Sequence, residues 1–211
     1  MDWAAQMLGL SPEFYNSSGK GGGCIQNTAS EAAIVAIVAA RNSYQQAHTD
    51  AKLEELTHSL GMKAGMILGL AVRAIDVKPE DNFALRGNAL HSALQEDIQA
   101  GKKPFILIAT VGTTSSGAID NLKEIKEVGK FVRVEKAELD VSVKNYPDLR
   151  IHVDSAWLGI ALVCPEFREM CYLDEINEIA DSFCTNFHKW GLTKRVTNPI
   201  SVVEKADCVV S

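Results

Sequence analysis

The feature that most constrains the fold is a continuous apolar run from Pro104 to Val111, which gives way at once to a polar segment at 112–117. A strand that is apolar at every position has to be covered on both faces, which is typical of the centre of a parallel sheet. Residues 149–154 and 182–185 are also predicted to be strands. Because helical patterns alternate with these strands, the sequence predicts an α/β fold with a mostly parallel sheet flanked by helices.

The helix with the clearest pattern is predicted over residues 24–46, because residues 32–40 are apolar nearly all round and belong in the interior. The glycine-rich segment 19–23 is predicted to be a flexible turn, and residues 48–57 a helix extension or a loop. The other predicted elements are a short amphipathic helix within 1–17, helices at 61–71, 88–100 and 120–131, a strand at 72–77, a charge-rich connection at 132–145, and strand-like segments at 200–203 and 208–210.

Composition excludes several classes of partner. The chain has 211 residues and a formal net charge of −6, which argues against nucleic acid or an anionic membrane as its main partner. No apolar run reaches the ~18 residues of a membrane span, and the first residues lack the pattern of a signal peptide. The five cysteines are scattered and form no C-x-x-C pair, so reduced thiols and a cytoplasmic location are expected.

Three predicted strands end in polar residues that suit one cofactor. Thr114 follows the first strand, Asp154 ends the second, and Lys189 follows the third between His188 and Trp190. Neighbouring parallel strands bring their carboxyl ends to one edge of a sheet. Pyridoxal phosphate needs a lysine amine for its aldehyde and a carboxylate against its pyridine nitrogen. The pattern therefore predicts a pyridoxal phosphate site, with Lys189 partly desolvated so that its amine can react.

The start of the predicted buried helix is a candidate phosphate site. Thr28, Ala29 and Ser30 lie behind the glycine-rich segment, where free N–H groups and the helix dipole favour an anion. The alternative is ordinary capping, in which Thr28 or Ser30 serves only its own helix; caps of this kind are common. The sequence leaves both interpretations open.

The other candidate residues also have structural alternatives. Asp154 could cap a turn at the end of its strand, Lys189 could be an ordinary solvated lysine, and His188 could be a core or stacking histidine. His152 and Asp154 lie on one strand face and could be two metal ligands, but a third clustered ligand is lacking in the sequence. No metal site is therefore predicted.

Four segments resemble the motifs of the group II pyridoxal-phosphate decarboxylases, and among these the aromatic-L-amino-acid decarboxylases. They are residues 28–32, 111–114, 152–157 and 187–190, and residues 83–86 and 164–168 add to a likeness that extends from Asp2 to Trp190. The resemblance implies the large domain of a fold type I protein. It also implies pyridoxal phosphate as cofactor and a small-molecule amino acid substrate. The implied reaction is loss of the α-carboxylate of an aromatic amino acid to give an amine and carbon dioxide.

The resemblance also implies individual roles. Lys189 would hold the cofactor as an internal aldimine, and Asp154 would pair with the pyridine nitrogen. Ala29 and Ser30 would bind the phosphate with His188 close by. The residues around the ring would be Ala156 against its far face, Thr114 beside it and His58 stacked on it.

The chain also departs from the family pattern. The stretch before His58 is shorter than usual, the connection at 131–145 is longer, and the pattern is lost after Trp190. The family's N-terminal region, its C-terminal small domain and the mobile loop with a catalytic tyrosine have no counterpart here. Residues 1–211 are therefore predicted to be a partial cofactor-binding large domain of a protein that is a homodimer at full length. Alternatives are a catalytically incompetent relative that acts as a binding or subunit-pairing module, and another fold type I reaction, such as transamination or decarboxylation of glutamate or histidine.

Overall fold

The computed structural model describes residues 1–47, 54–56, 59–128, 149–191 and 200–205. His58, the predicted connection at 132–145 and the predicted strand at 208–210 lie outside these ranges.

The described residues form an α/β structure around one seven-stranded sheet. The strand order is β1-β7-β6-β5-β4-β2-β3. Strands β3, β2, β4, β5 and β6 pair in parallel, whereas β7 is antiparallel to both β6 and β1. The predicted mostly parallel sheet is therefore confirmed, and β1 runs in the same direction as β6. The strands are β1 (Gly21–Gln26), β2 (Glu54–Leu56), β3 (Ala71–Arg73), β4 (Pro104–Thr110), β5 (Arg150–Ser155), β6 (Ser182–Asn186) and β7 (Ile200–Lys205).

Helices cover both faces of the sheet. They are α1 (Asp2–Leu8), α2 (Ala29–Ala47), α3 (Ser59–Leu68), α4 (Gly87–Gln99), α5 (residues 122–128), α6 (Leu173–Ile179) and α7 (Phe187–Trp190). Helix α4 matches its prediction to within one residue at each end, whereas α2 begins five residues later than predicted. Within the described ranges, no helix is long and apolar enough to cross a bilayer.

Strand β4 lies at the centre of the core, as its apolar sequence predicts. Its Leu107 and Ala109 belong to the large cluster that includes buried residues of α1, α4, α5 and α6. Its Ile106 and Ile108 belong to a second cluster with Ile37 and other buried residues of α2. Because each fully buried large apolar side chain stabilises the fold by about 1.5–3 kcal/mol, β4 fixes the helices on both faces of the sheet.

Two predictions at the edges of the sheet were wrong. The segment predicted as a glycine-rich turn is strand β1, whose Gly23 pairs with Val203 of β7. Glycines have no side chains with which to form an alternating pattern, so pairing with another strand decides the conformation. Residues 54–56, within a segment predicted as helix or loop, form β2. Strand β3 ends at Arg73, earlier than predicted, because β2 pairs with it over three residues.

The loop after β4 is closed by Asp120, a buried carboxylate that was predicted only as the start of a helix. Its Oδ2 accepts a hydrogen bond of 2.7 Å from the amide of Thr110, and its Oδ1 accepts one of 2.8 Å from the amide of Leu85. Gly112 has φ +87°, and a Cβ there would lie 2.3 Å from Cβ of Leu158. This position therefore requires glycine both for its backbone conformation and for the close approach of Leu158.

Candidate active site

The predicted site residues lie at one edge of the sheet, where β1, β4, β5 and β6 have their carboxyl ends. Asp154 of β5 pairs with Cys184 of β6. Gln26 of β1 and Asn186 of β6 both pair with Ile200 of β7, so these two strands end side by side with β7 between them. Because α2 begins shortly after β1 and α7 directly after β6, the structure brings the start of α2, Asp154 and the helix that carries Lys189 to one edge.

Asp154 is partly buried and receives hydrogen bonds from two elements. Its Oδ1 accepts one of 3.0 Å from the amide of Ala156, in the loop after β5. The same Oδ1 accepts one of 3.3 Å from the thiol of Cys184. Burial raises the pKa of the Cys184 thiol well above its usual range, and the nearby charge of Asp154 raises that pKa further. Cys184 therefore stays protonated and acts as a donor.

A small apolar cluster joins the helix start to these strand ends. Ala32 of α2 packs with Ala156 and Cys184, and Ala29 packs against this group. Two residues predicted to contact the cofactor, Ala29 and Ala156, thus belong to one packed unit. Their small side chains let α2 approach the sheet closely at this edge.

The first turn of α2 is closed by a reciprocal pair of hydrogen bonds. Thr28 Oγ1 accepts a bond of 3.1 Å from the amide of Glu31, and Glu31 Oε2 accepts one of 3.0 Å from the amide of Asn27. The bond to Thr28 Oγ1 is an N-cap, so the capping interpretation of Thr28 is confirmed. Glu31 adds a bond similar to that of a capping box, although it binds the amide one residue before the cap. The amides of Ala29 and Ser30 lie in the first turn, where no earlier helical carbonyl is available and the dipole is positive. Contact of Thr28 with a phosphate stays a prediction.

Lys189 lies in the short helix α7, which Asn186 caps by accepting a hydrogen bond of 3.3 Å from the amide of His188. The charge of Lys189 lowers the pKa of the Cys184 thiol, opposing the larger effect of burial. The side chain of Lys189 is exposed. The desolvation predicted for a nucleophilic lysine is therefore not supplied by the described residues.

Two tryptophans connect the loop after Asp154 to the helix that carries Lys189. The rings of Trp157 and Trp190 meet edge to face, with centroids 4.8 Å apart and an interplanar angle of 90°. Trp157 directly follows Ala156, and Trp190 directly follows Lys189. The ring contact therefore fixes two predicted cofactor residues relative to each other, an arrangement that aromatic pairs favour.

The two histidines near the site have different surroundings. His188 has a buried Nδ1 that no group in the described ranges contacts by a hydrogen bond. His152 is fully buried, and its Nδ1 lies 2.7 Å from Ser182 Oγ. Burial lowers the pKa of His152 to about 4, although nearby Asp154 acts in the opposite direction. His152 is thus a neutral core residue, and among the described residues no group of three potential ligands forms a metal site.

The threonines after β4 divide into one that holds the loop and one that faces solvent. Thr113 Oγ1 accepts a hydrogen bond of 3.0 Å from the amide of Ala118 and lies 2.6 Å from Ser116 Oγ. Thr114 is exposed. Its predicted place beside the cofactor stays a prediction.

Sequence reasoning missed two residues of this site. The first, Cys184, contacts Asp154 through strand register, which the sequence does not reveal. The second, Asn186, could have been recognised as the cap of α7, because asparagine favours that position.

The residues present fit pyridoxal phosphate. Asp154 has one carboxylate oxygen, Oδ2, that receives no hydrogen bond from the described residues. His188 offers a buried ring nitrogen without a described partner. A helix start suited to a phosphate and a lysine amine lie at the same edge of the sheet.

Comparison with known proteins gives matches along nearly the whole chain. Residues 1–207 match the family described as "pyridoxal-dependent decarboxylase conserved domain". Tyrosine decarboxylase 2 of Narcissus pseudonarcissus is 42% identical over 203 residues, which cover 92% of this chain and 37% of that protein. Aromatic-L-amino-acid decarboxylase of Bos taurus is 39% identical over 225 residues, which cover 98% of this chain and 42% of that protein.

A solved structure has the same fold. The crystal structure of Catharanthus roseus tryptophan decarboxylase in complex with L-tryptophan matches with a TM-score of 0.80 and 31% sequence identity. The match covers 98% of this chain and 42% of that one. The chain therefore spans about two fifths of the length of these relatives, between 37% and 42%.

Proposed function

The chain belongs to the family of pyridoxal-dependent decarboxylases, and on this basis we propose that it forms part of the cofactor-binding large domain of an aromatic amino acid decarboxylase. The reaction removes the α-carboxylate of an aromatic L-amino acid as carbon dioxide and leaves the amine. One observation carries the proposal. Asp154 keeps an oxygen without a described donor at the sheet edge where α2 begins and Lys189 follows β6.

Each residue at this edge has a distinct task in the proposal. The amides of Ala29 and Ser30 bind the phosphate, and Oδ2 of Asp154 pairs with the pyridine N–H. When bound, the cofactor would supply a site that can take up the electron pair left at Cα when the carboxylate departs. Lys189 holds the aldehyde carbon covalently through its amine. The remaining proposed contacts are His188 through Nδ1 near the phosphate, Ala156 against the ring, Thr114 and Thr28 beside the cofactor, and His58 stacked on the ring.

The names of the relatives support the substrate class. They are a tyrosine decarboxylase, an aromatic-L-amino-acid decarboxylase and a tryptophan decarboxylase whose crystal structure contains L-tryptophan. Lys189 is exposed in the described chain, so the desolvation that a free amine requires has to come from other segments or a second copy. The proposal therefore includes a homodimer as the active form. It also includes a cytoplasmic location.

Replacement of Lys189 tests the covalent attachment. The chain mixed with pyridoxal phosphate is expected to show the visible absorbance of a covalently held cofactor. Lys189→Ala should lower this absorbance by about tenfold or more, since the amine proposed to hold the aldehyde is lost. Borohydride reduction followed by peptide mass spectrometry should find the cofactor on Lys189.

The matched control is Lys78→Ala, which changes an exposed lysine in the loop after β3, the strand at the far edge of the sheet. It should keep the absorbance of the unaltered chain. Absorbance that survives in Lys189→Ala, or a complete lack of absorbance in the unaltered chain, would contradict the cofactor assignment.

Release of carbon dioxide from tyrosine or tryptophan, compared with glutamate and histidine, tests the reaction. Cofactor binding without any release would support a binding or subunit-pairing module.

A further inference from the structure

We infer that Cys184 is a positioning residue for Asp154, because its thiol and the amide of Ala156 together hold Oδ1 and leave Oδ2 for the pyridine nitrogen of the cofactor. The inference rests on the proposed function and adds to it a residue that the family resemblance does not assign.

The geometry of the carboxylate carries this inference. Rotation of an aspartate carboxylate about its last bond is only weakly restricted, so an isolated Asp154 would present either oxygen in several orientations. Its two donors come from different elements, the loop after β5 and strand β6, and both bind Oδ1. Two donors on one oxygen fix the plane of the carboxylate. Within the described ranges, Oδ2 is then the oxygen without a protein donor.

A protonated thiol suits this position. Cys184 is fully buried, and burial raises the pKa of its thiol well above the usual range, so the sulfur does not ionise beside the carboxylate. A thiol is a weaker donor than a hydroxyl or an ammonium group. It therefore orients Asp154 without taking over the negative charge that the pyridine nitrogen needs.

Cys184 also fills space at the site, and this second role has to be separated from the first. Its side chain packs with Ala32 and Ala156. Replacement by valine approximately keeps the volume and removes the donor, whereas replacement by serine keeps a donor of similar size. The comparison of Cys184→Val with Cys184→Ser therefore distinguishes hydrogen bonding from packing.

The chain offers a matched control in Cys171. It is also fully buried, and burial raises the pKa of its thiol, but it packs in the large apolar cluster rather than at the cofactor edge. Cys171→Val therefore tests the effect of the same substitution on the core alone.

The first measurement needs no cofactor. The Raman S–H stretching band of Cys184, identified by its loss in Cys184→Ser, should have the lowered frequency of a thiol that donates to a carboxylate. In Asp154→Ala the band should move to the frequency of a thiol without an acceptor. The band of Cys171 should not move.

The second measurement is the affinity for pyridoxal phosphate, with the pH dependence of the bound cofactor's absorbance. Cys184→Val should weaken binding by about three- to tenfold, the range expected for one lost hydrogen bond. It should also lower the pH at which the bound ring loses its proton. The affinity of Cys184→Ser for pyridoxal phosphate should stay within about twofold of that of the unaltered chain, and so should the affinity of Cys171→Val.

The outcomes separate this inference from the proposed function. If Asp154→Ala weakens cofactor binding but Cys184→Val behaves like Cys171→Val, the role of Cys184 is refuted and the proposed function stands. If Asp154→Ala binds the cofactor as well as the unaltered chain, both the proposed function and the inference fail. The inference would also be refuted if the frequency of the Cys184 S–H band were the same in Asp154→Ala as in the unaltered chain.

Discussion

Two corners of the same sheet edge use an aspartate in different ways. At the end of β4, Asp120 accepts backbone amides at both oxygens, Thr110 at Oδ2 and Leu85 at Oδ1. At the end of β5, Asp154 receives both of its described donors, Ala156 and Cys184, at Oδ1. The residue type and the position at the sheet edge are shared, and the distribution of donors differs.

This difference shows what separates a structural carboxylate from one that can bind a ligand. A carboxylate whose two oxygens both accept backbone amides holds two segments together, and its loss leaves buried donors without a partner. A carboxylate held at one oxygen has a defined orientation and can still accept a donor from a ligand. If burial were the only criterion, Asp120, which is 8% exposed, would be chosen as the ligand-binding carboxylate in place of the partly buried Asp154.

Asp120→Ala should have the largest effect on stability. It leaves two backbone N–H groups without their acceptor, so the free energy of unfolding should fall by about 4 kcal/mol, measured by urea denaturation. The control Asp76→Ala changes an exposed aspartate and should alter that free energy by less than about 0.5 kcal/mol. If Asp120→Ala lowers the free energy of unfolding by no more than the control does, Asp120 does not stabilise the loop after β4.

Asp154→Ala should have the complementary effect. The affinity for pyridoxal phosphate should fall about thirtyfold, or about 2 kcal/mol, because a charged partner of the pyridine nitrogen is lost. The free energy of unfolding without cofactor should fall by about 2 kcal/mol, less than for Asp120→Ala, since one backbone donor and one weak thiol donor lose their acceptor. Fluorescence titration and urea denaturation measure the two quantities. If Asp154→Ala and Asp120→Ala lowered the free energy of unfolding equally, Asp154 could not be distinguished from a structural carboxylate on this basis.

His152, two residues before Asp154 on β5, should give a smaller effect that depends on pH. Its folded-state pKa of about 4 lies below the ordinary value of 6.5, because burial disfavours the charged ring. As pH falls, the unfolded chain takes up a proton before the folded chain does, so stability is full above about pH 6.5 and declines towards pH 4. The contribution lost between about pH 7 and pH 5 should be about 2 kcal/mol.

Comparison with His152→Asn isolates this effect, because the other titrating groups are shared. The difference in unfolding free energy between the two chains should shrink by about 2 kcal/mol over that interval. Two curves that stay parallel would show that His152 does not titrate differently on folding.

The central fold could be predicted from local patterns, and its edges could not. Strands β4, β5 and β6 have apolar sequences that local reasoning detects, and α4 has a clear amphipathic pattern. Strand β1 is rich in glycine and becomes a strand by pairing with β7, which is distant in sequence. Pairing partners of this kind are set by the whole sheet, so local sequence cannot reveal them.

The candidate site shows the same limit. The edge at which Asp154 and Lys189 lie could be predicted, because parallel strands end together. The contact between Cys184 and Asp154 depends on the register of β5 against β6, and one residue of slip would remove it. The exposure of Lys189 was not expected, because a side chain's surroundings depend on everything that packs over it.

The position of β7 between β1 and β6 has a consequence for synthesis of the protein. The β1 strand that leads into α2 leaves the ribosome early, yet it is hydrogen-bonded to β6 through β7, which emerges much later. A nascent chain that ends before β7 would already contain both Asp154 and Lys189 while β1 had no strand to pair with. Closing so long a loop is slow. Unpaired β1 would meanwhile be exposed to chaperones and proteases, so pairing along this side of the sheet should be completed late in translation.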